Sequence, residues 1–351
     1  MEETICVFDG HNDVLARSLY HPEFDFLRGT DSGHINLHKM RAGSMMGGLF
    51  AFFIPPTEEE SAQKERTDAP DALPHRVPTE RAQAVTTALY ARLLRTCRAS
   101  DGTLRVARST QQIRAAAQED AVSAVIHFEG AEPIGPGLEE LEIYYAAGLR
   151  SLGITWSRAN RFGHGVPIGF GYGPNTGPGL SNEGIELVRA CNRIGIALDL
   201  SHLNERGFWD VAETTDAPLI ASHSNPYALC NSPRNLTDAQ LDAVKESDGL
   251  VGVNFGTVFL REDGKLDAAT PLSTVLRHID YLVRRLGIDR VGFGSDFDGT
   301  LVPNEIGGAD GVPRLLDALC AAGYTRNEVK KLAGENWLRV LSLSWKEGYA
   351  L

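Results

Sequence analysis

The sequence predicts a (β/α)8 barrel, and two observations carry the prediction. Eight apolar, β-branched-rich runs recur along the 351 residues, most of them followed by a segment with helical spacing. The runs are continuously apolar rather than alternating, as expected for strands buried on both faces of a parallel sheet. An open, doubly wound sheet is the competing arrangement of the same elements. The length equals two average domains but also fits one barrel domain over residues 1–351.

In chain order the runs are TICVFD (4–9), GGLFAFFI (47–54), AVSAVIHF (121–128), GLRSLGIT (148–155), GIALDL (195–200), PLIAS (218–222), GLVGVNF (249–255) and DRVGFGS (289–295). Between them, residues 79–99 carry apolar groups at helical spacing after an N-cap candidate, Thr79. Residues 182–193, 204–214, 271–286 and 312–321 also read as helices. Ser109 with Gln112, Thr237 with Gln240 and Thr325 with Glu328 form capping-box patterns.

Two segments read as insertions. Residues 55–78 are charged and contain prolines, the composition of a solvated loop. Residues 157–181 hold seven glycines. Their GFGYG looks like a phosphate loop but lacks the GxGxxG spacing and a tight strand-to-helix junction. A long loop at a strand end is more often a lid or pocket wall.

Composition excludes several classes of function. The formal charge is −12, which argues against nucleic acid bound through a broad basic surface. No apolar run approaches the ~18 residues of a membrane span, and the N-terminus lacks the pattern of a secretory signal. Five cysteines, none in a CxxC pair, read as buried free thiols in a reducing compartment. A cytoplasmic location is the matching expectation.

The ionisable residues collect at the ends of the runs. The first ends in DGHND, with Asp9, His11 and Asp13 at alternate positions; such residues of a strand share a face. Glu129 follows the third, His202 the fifth, His223 the sixth, and Asp296 and Asp298 the eighth. In a barrel these ends converge on one mouth. Singly, each is an ordinary turn or cap residue. Together, imidazole and carboxylate form the donor set of zinc and related ions. Three histidines with two or more carboxylates suffice for two metals if one carboxylate bridges, which points to a metal-dependent hydrolase. His127 shares a strand face with Glu129 and reads as a hydrogen-bonded interior histidine. His21, His34, His38, His75 and His278 sit in polar loops or on a helix.

DGHND, HFEG, DLSH, SHSN followed by SPRNL, GSDFDG and GENWLR, in this order from residue 9 to about 340, resemble the membrane (renal-type) dipeptidase family, peptidase family M19. The resemblance implies an amidohydrolase-type barrel with a binuclear zinc centre that hydrolyses dipeptides. It implies that His11 and Asp13 bind one zinc, that His202 and His223 bind the other, and that Glu129 bridges them. It gives Asp296 proton transfer beside a bridging hydroxide and the substrate's amino group, and Arg234 the substrate carboxylate. Arginine suits that task because its planar fork binds a carboxylate twice. Asp9 is expected to orient a ligand from behind. A soluble member that forms a homodimer is the implied state.

The sequence departs from the renal-type pattern after the fourth run. ITWSRAN places Trp156 where a histidine holds the substrate carbonyl in that pattern. An indole N–H donates one hydrogen bond but carries no charge. His164 and Arg158, on the same loop, are the candidates to replace it. Phe259 stands near the place of a tyrosine that assists carboxylate binding. The departures leave open a related hydrolase acting on N-acyl amino acids, lactams or other amides, and a non-catalytic metal-binding barrel.

Overall fold

The computed structural model describes residues 4–21, 23–29, 32–56 and 76–345. Most of the expected 55–78 insertion, with His75, lies outside them. Nine parallel strands form the sheet: β1 (Val7–Asn12), β2 (Met45–Phe53), β3 (Leu104–Val106), β4 (Val122–Glu129), β5 (Leu149–Gly153), β6 (Ala197–Asp199), β7 (Ile220–Ala221), β8 (Leu250–Val253) and β9 (Val291–Phe293). Their order is β2-β1-β9-β8-β7-β6-β5-β4-β3, and β2 also pairs with β4. That pairing closes an eight-stranded barrel and leaves β3 attached to the start of β4 alone. Closure excludes the open sheet. Each expected run supplies one barrel strand; β3 is additional.

The helices follow the apolar period closely. Thr79–Ala99, Asn182–Ile194, Glu205–Thr214, Leu272–Leu286 and Val312–Ala321 match the expected segments to within a residue or two. Thr237 and Thr325 close full capping boxes. Two cap expectations are corrected. Pro78, not Thr79, is the N-cap: its ψ of 138° is extended, and helical backbone begins at Thr79. Gln112 reaches the N–H of Arg108 rather than that of Ser109, although Ser109 still accepts from the N–H of Gln112. None of the five cysteines forms a disulfide, but Cys6 and Cys320 are exposed and Cys97 half-buried rather than buried. Among the described residues, no helix is long and apolar enough to cross a membrane.

β1 is not a regular strand. Its register against β2 slips between Asp9 and Asn12, where two residues, Gly10 and His11, oppose one, Leu49. Such a bulge re-aims a side chain. Phe8 and Gly10 face Trp337 inside the barrel, and His11 is also inside, stacked on His223 at 3.8 Å. The expected alternation of Asp9, His11 and Asp13 on one face is therefore broken. Asp9 leaves the group, and Asp13 lies beyond the strand at the entry to the helix Val14–Tyr20.

The lower half of the barrel is filled partly from outside the sheet. Trp337, on the helix Asn336–Ser344, is fully buried with Phe8, Val125 and Ile220. Its indole N–H donates to the carbonyl of Phe293 at 2.8 Å. Glycines on three strands make room for it. A Cβ on Gly292 would come within 2.6 Å of its Nε1, one on Gly252 within 3.0 Å of its Cζ2, and one on Gly10 would overlap the same ring edge. A strand set that supplies no side chains at these points needs the indole as a plug. Trp337→Ala should lower the unfolding free energy by about 3–5 kcal/mol, read from urea denaturation. A variant as stable as the parent would show that the indole does not fill the barrel floor.

Candidate metal centre

Six of the residues expected at the mouth converge. His11 comes from the β1 bulge, Asp13 from the residue after β1, and Glu129 from the last position of β4. His202, His223 and Asp296 follow β6, β7 and β9. All six are buried. His202 and Asp296 have φ of +67° and +59°, the left-handed region that non-glycine residues seldom occupy. Hydrogen bonds hold both turns: Val166 N–H donates to the His202 carbonyl at 2.7 Å, and Asp296 N–H to that of His11 at 3.1 Å.

Glu129 Oε1 is the centre of the group. It lies 3.0 Å from His202 Nε2 and 3.8 Å from the Nε2 atoms of both His11 and His223. His202 Nε2 and His223 Nε2 are 3.0 Å apart, and His11 Nε2 is 3.4 Å from Asp13 Oδ2. Donor atoms of His11, Glu129 and His223 lie within 4.8 Å of one another, as do those of His11, Asp13 and Asp296. Each trio could hold one cation.

The rings are set from behind. Ser222 Oγ donates to Asp199 Oδ2 at 2.5 Å and lies 2.7 Å from His223 Nδ1. A hydroxyl that donates to a carboxylate can only accept from the imidazole. His223 therefore carries its proton on Nδ1 and turns the Nε2 lone pair toward Glu129. Ser157 Oγ stands 2.8 Å from His202 Nδ1 in the corresponding place. Asp296 Oδ2 accepts from Asn254 Nδ2 at 2.8 Å. His127 is an interior histidine, 2.9 Å from Ser151 Oγ and 3.5 Å from Asp199.

The electrostatics are unbalanced without a cation. Burial and the nearby Asp13 charge hold the Glu129 carboxyl well above its ordinary range. Burial likewise raises Asp296. Burial opposes a charge on His11, but Glu129 and Asp13 outweigh it and push the imidazole up to about 10. His202 and His223 are held well below the ordinary value, by burial and by the Arg234 and His11 charges. They are neutral donors. Both ring nitrogens of His11 are buried without a well-formed hydrogen bond. Free imidazole nitrogens facing crowded carboxylates are the donor set of a divalent metal site.

A cavity of about 420 Å³ opens above this floor, at the small end of the ~300–1,000 Å³ range of ligand sites. Trp156 lines it, 5.0 Å from Phe53 and 5.9 Å from the His202 ring. His164 does not line it. Pairing of Ala159 with His164 and of Gly165 with Leu203 fixes that part of the loop away from the wall. Arg158 is no replacement for the missing histidine either. It is buried, with Nε on Glu132 Oε1 at 2.6 Å and Nη2 on the Ile54 carbonyl at 2.8 Å. Arg234 is buried beside the centre, its Nη2 on the His223 carbonyl at 3.1 Å and its guanidinium 5.5 Å from the Phe259 ring. Burial lowers its pKa to about 10 against the pull of Asp296, Asp199 and Glu129.

Asp9 supports the site from behind through backbone rather than through a ligand ring. It accepts from Ser295 N–H and Oγ–H, both at 2.8 Å, and from the His11 N–H at 3.4 Å. The bulge turns it toward β9, where it braces the loop that carries Asp296. Burial pushes its carboxyl up to about 6. Asp199, Ser222, Ser157 and Asn254 escaped the sequence reading. A charged residue inside the apolar run ALDL and an asparagine closing GLVGVNF were the available signals for two of them.

Comparison with known proteins gives the family. The family model for membrane dipeptidase (peptidase family M19) matches residues 1–346. A crystal structure of a Rhodobacter sphaeroides metallopeptidase, liganded with a phosphinate mimic of the dipeptide L-Ala-D-Ala, superposes with a TM-score of 0.93. It is 46% identical, over 98% of this chain and 100% of that one. A protein encoded in the pqqA 5′ region of Klebsiella pneumoniae is 48% identical over 71% of this chain and 92% of its own length. An uncharacterized dipeptidase of Schizosaccharomyces pombe is 31% identical over 97% of this chain and 80% of its own. A family match over almost the whole length, on a barrel whose mouth gathers metal donors, places the chain in the membrane dipeptidase family, the metallopeptidases of family M19.

Proposed function

We propose that the protein is a zinc-dependent dipeptidase. The observation that carries the reading is the placing of Glu129 Oε1 among three imidazole Nε2 atoms at 3.0 to 3.8 Å. In this reading His11 and Asp13 would hold one divalent ion and His202 and His223 the other, with Glu129 shared between them. Bound there, the ions would supply a Lewis acid for the scissile carbonyl and would activate water at neutral pH.

The chain's own residues do the rest. Asn254 fixes one oxygen of Asp296, leaving the other to take the proton of the attacking water and return it to the leaving amine. Before that transfer, the same carboxylate holds the substrate's amino group. Arg234, kept ionised by the surrounding carboxylates, binds the substrate's C-terminal carboxylate. Anchors at both ends favour dipeptides, because a longer chain would put a peptide bond where a charge is required. Trp156 walls the cavity beside His202 and offers an indole N–H in place of a charged imidazole. That replacement favours a second reading, hydrolysis of N-acyl amino acids or related amides on the same centre.

Metal analysis tests the bridge. Protein supplied with zinc should bind about two ions per chain, and Glu129→Gln should weaken both. Loss of one ion alone would contradict a bridging role. Ser222→Ala leaves every donor atom in place but frees the His223 ring. It should weaken one ion by roughly 10–100-fold while sparing the other, and unchanged affinity would show that the serine does not orient the ring.

Turnover tests the reaction. Zinc-loaded protein should hydrolyse members of a dipeptide panel that includes D-residues at the second position. Asp296→Asn should remove most of that activity with both ions retained. Hydrolysis of N-acyl amino acids with no dipeptide turnover would select the second reading.

A further inference from the structure

One stretch of the cavity wall, on the side of Phe259, is apolar and exposed. Ile168 and Leu266 both line the cavity, and they are 41% and 64% exposed. Val258 and Phe259 continue the same lining inward, and Phe259 lies against the Arg234 guanidinium. Single exposed apolar residues are common, but several gathered at a cavity mouth mark a binding surface.

The two loops that present them are built rather than loose. In the loop after the short helix Thr257–Leu260, Arg261 grips Asp263 with two bonds of 2.7 Å and reaches Asp267 at 3.2 Å. Asp267 N–H donates to Thr257 Oγ1 at 3.2 Å, and Asn304 N–H to the Ala268 carbonyl at 2.8 Å. Leu266 is thus held over the mouth between anchored neighbours. In the glycine-rich loop, Gly171 N–H donates to the Asn231 carbonyl at 2.7 Å, and Ser232 Oγ donates to the Gly169 carbonyl at 3.0 Å. The ties join this loop to Ser232 of the SPRNL segment that carries Arg234 and to the residue before it. Phe170 then packs on Gly264, where a Cβ would overlap its ring, so the two loops meet.

We infer that Ile168 and Leu266 form an apolar jaw that selects the side chain of the substrate's C-terminal residue. The inference rests on the dipeptidase reading. A carboxylate held by Arg234 places the adjoining Cα beside Phe259, so the side chain on that carbon emerges between the two loops. The rest of the lining is mixed: Asp13, Arg17 and Asp298 are polar, and Tyr20, Phe53 and Trp156 are aromatic. The substrate class is therefore a dipeptide with an apolar second residue.

The test is steady-state kinetics of zinc-loaded protein on two dipeptide series, one varying only the second residue from Gly through Ala to Leu, the other only the first. The parent should favour apolar second residues over Gly by about 10-fold or more in kcat/KM, as expected for a few methylenes in an apolar pocket. Leu266→Asp and Ile168→Ala should each erase most of that preference through KM while leaving the Gly-terminated substrate unchanged. Turnover indifferent to the second residue, or equal losses on the Gly-terminated substrate, would overturn the jaw alone. A parent that cleaves no dipeptide would overturn the dipeptidase reading and the jaw with it.

Discussion

The structure depends on the burial of one carboxylate. Glu129 ends its strand inside the barrel, with Asp13 and Asp296 close by and Arg234 and His11 the nearby cations. Burying one unpaired carboxylate costs several kcal/mol or shifts its ionisation. Three in one pocket demand positive charge from elsewhere. The imidazoles do not provide it as a group, since His202 and His223 are held neutral by their surroundings. Two divalent ions would satisfy the carboxylates, use the free nitrogen lone pairs and explain why the serines behind those rings fix their orientation.

The barrel is arranged in layers beneath that demand. Trp337 and the strand residues around it close the floor. Above it, His127, Ser151, Asp199 and Ser222 form a polar layer whose donors and acceptors are mostly paired with one another. The metal-donor residues lie above this layer, reached through Ser222 and the backbone of the strand ends. The turns at His202 and Asp296 accept an uncommon backbone conformation that local hydrogen bonds hold in place. Rigid support of this kind is what a two-ion site needs, because its donor atoms must stay within a fraction of an ångström.

Most of this was legible in the sequence, and for physical reasons. Strands buried on both faces cannot hide their composition, so the eight runs gave the barrel. Ionisable side chains at the ends of such runs have nowhere to go but the mouth, so His11, Asp13, Glu129, His202, His223 and Asp296 could be grouped before any coordinates. What could not be read were departures from period and residues whose partners lie far away in sequence. The β1 bulge moves Asp9 from the mouth to Ser295, 286 residues on, and no local pattern announces a one-residue insertion into a ladder. Ser157 and Ser222 look like loop serines until the imidazoles beside them are in place. His164 and Arg158 were near Trp156 in the chain but are held elsewhere by loop pairing and by Glu132.

The account stands or falls on where cations sit around Glu129. Crystals of the zinc-loaded protein, measured above and below the zinc absorption edge, give anomalous difference maps that locate the ions directly. The account predicts two peaks, one beside His11 and Asp13 and one beside His202 and His223, with Glu129 contacting both. A single peak, or a pair in which Glu129 touches only one ion, would contradict it.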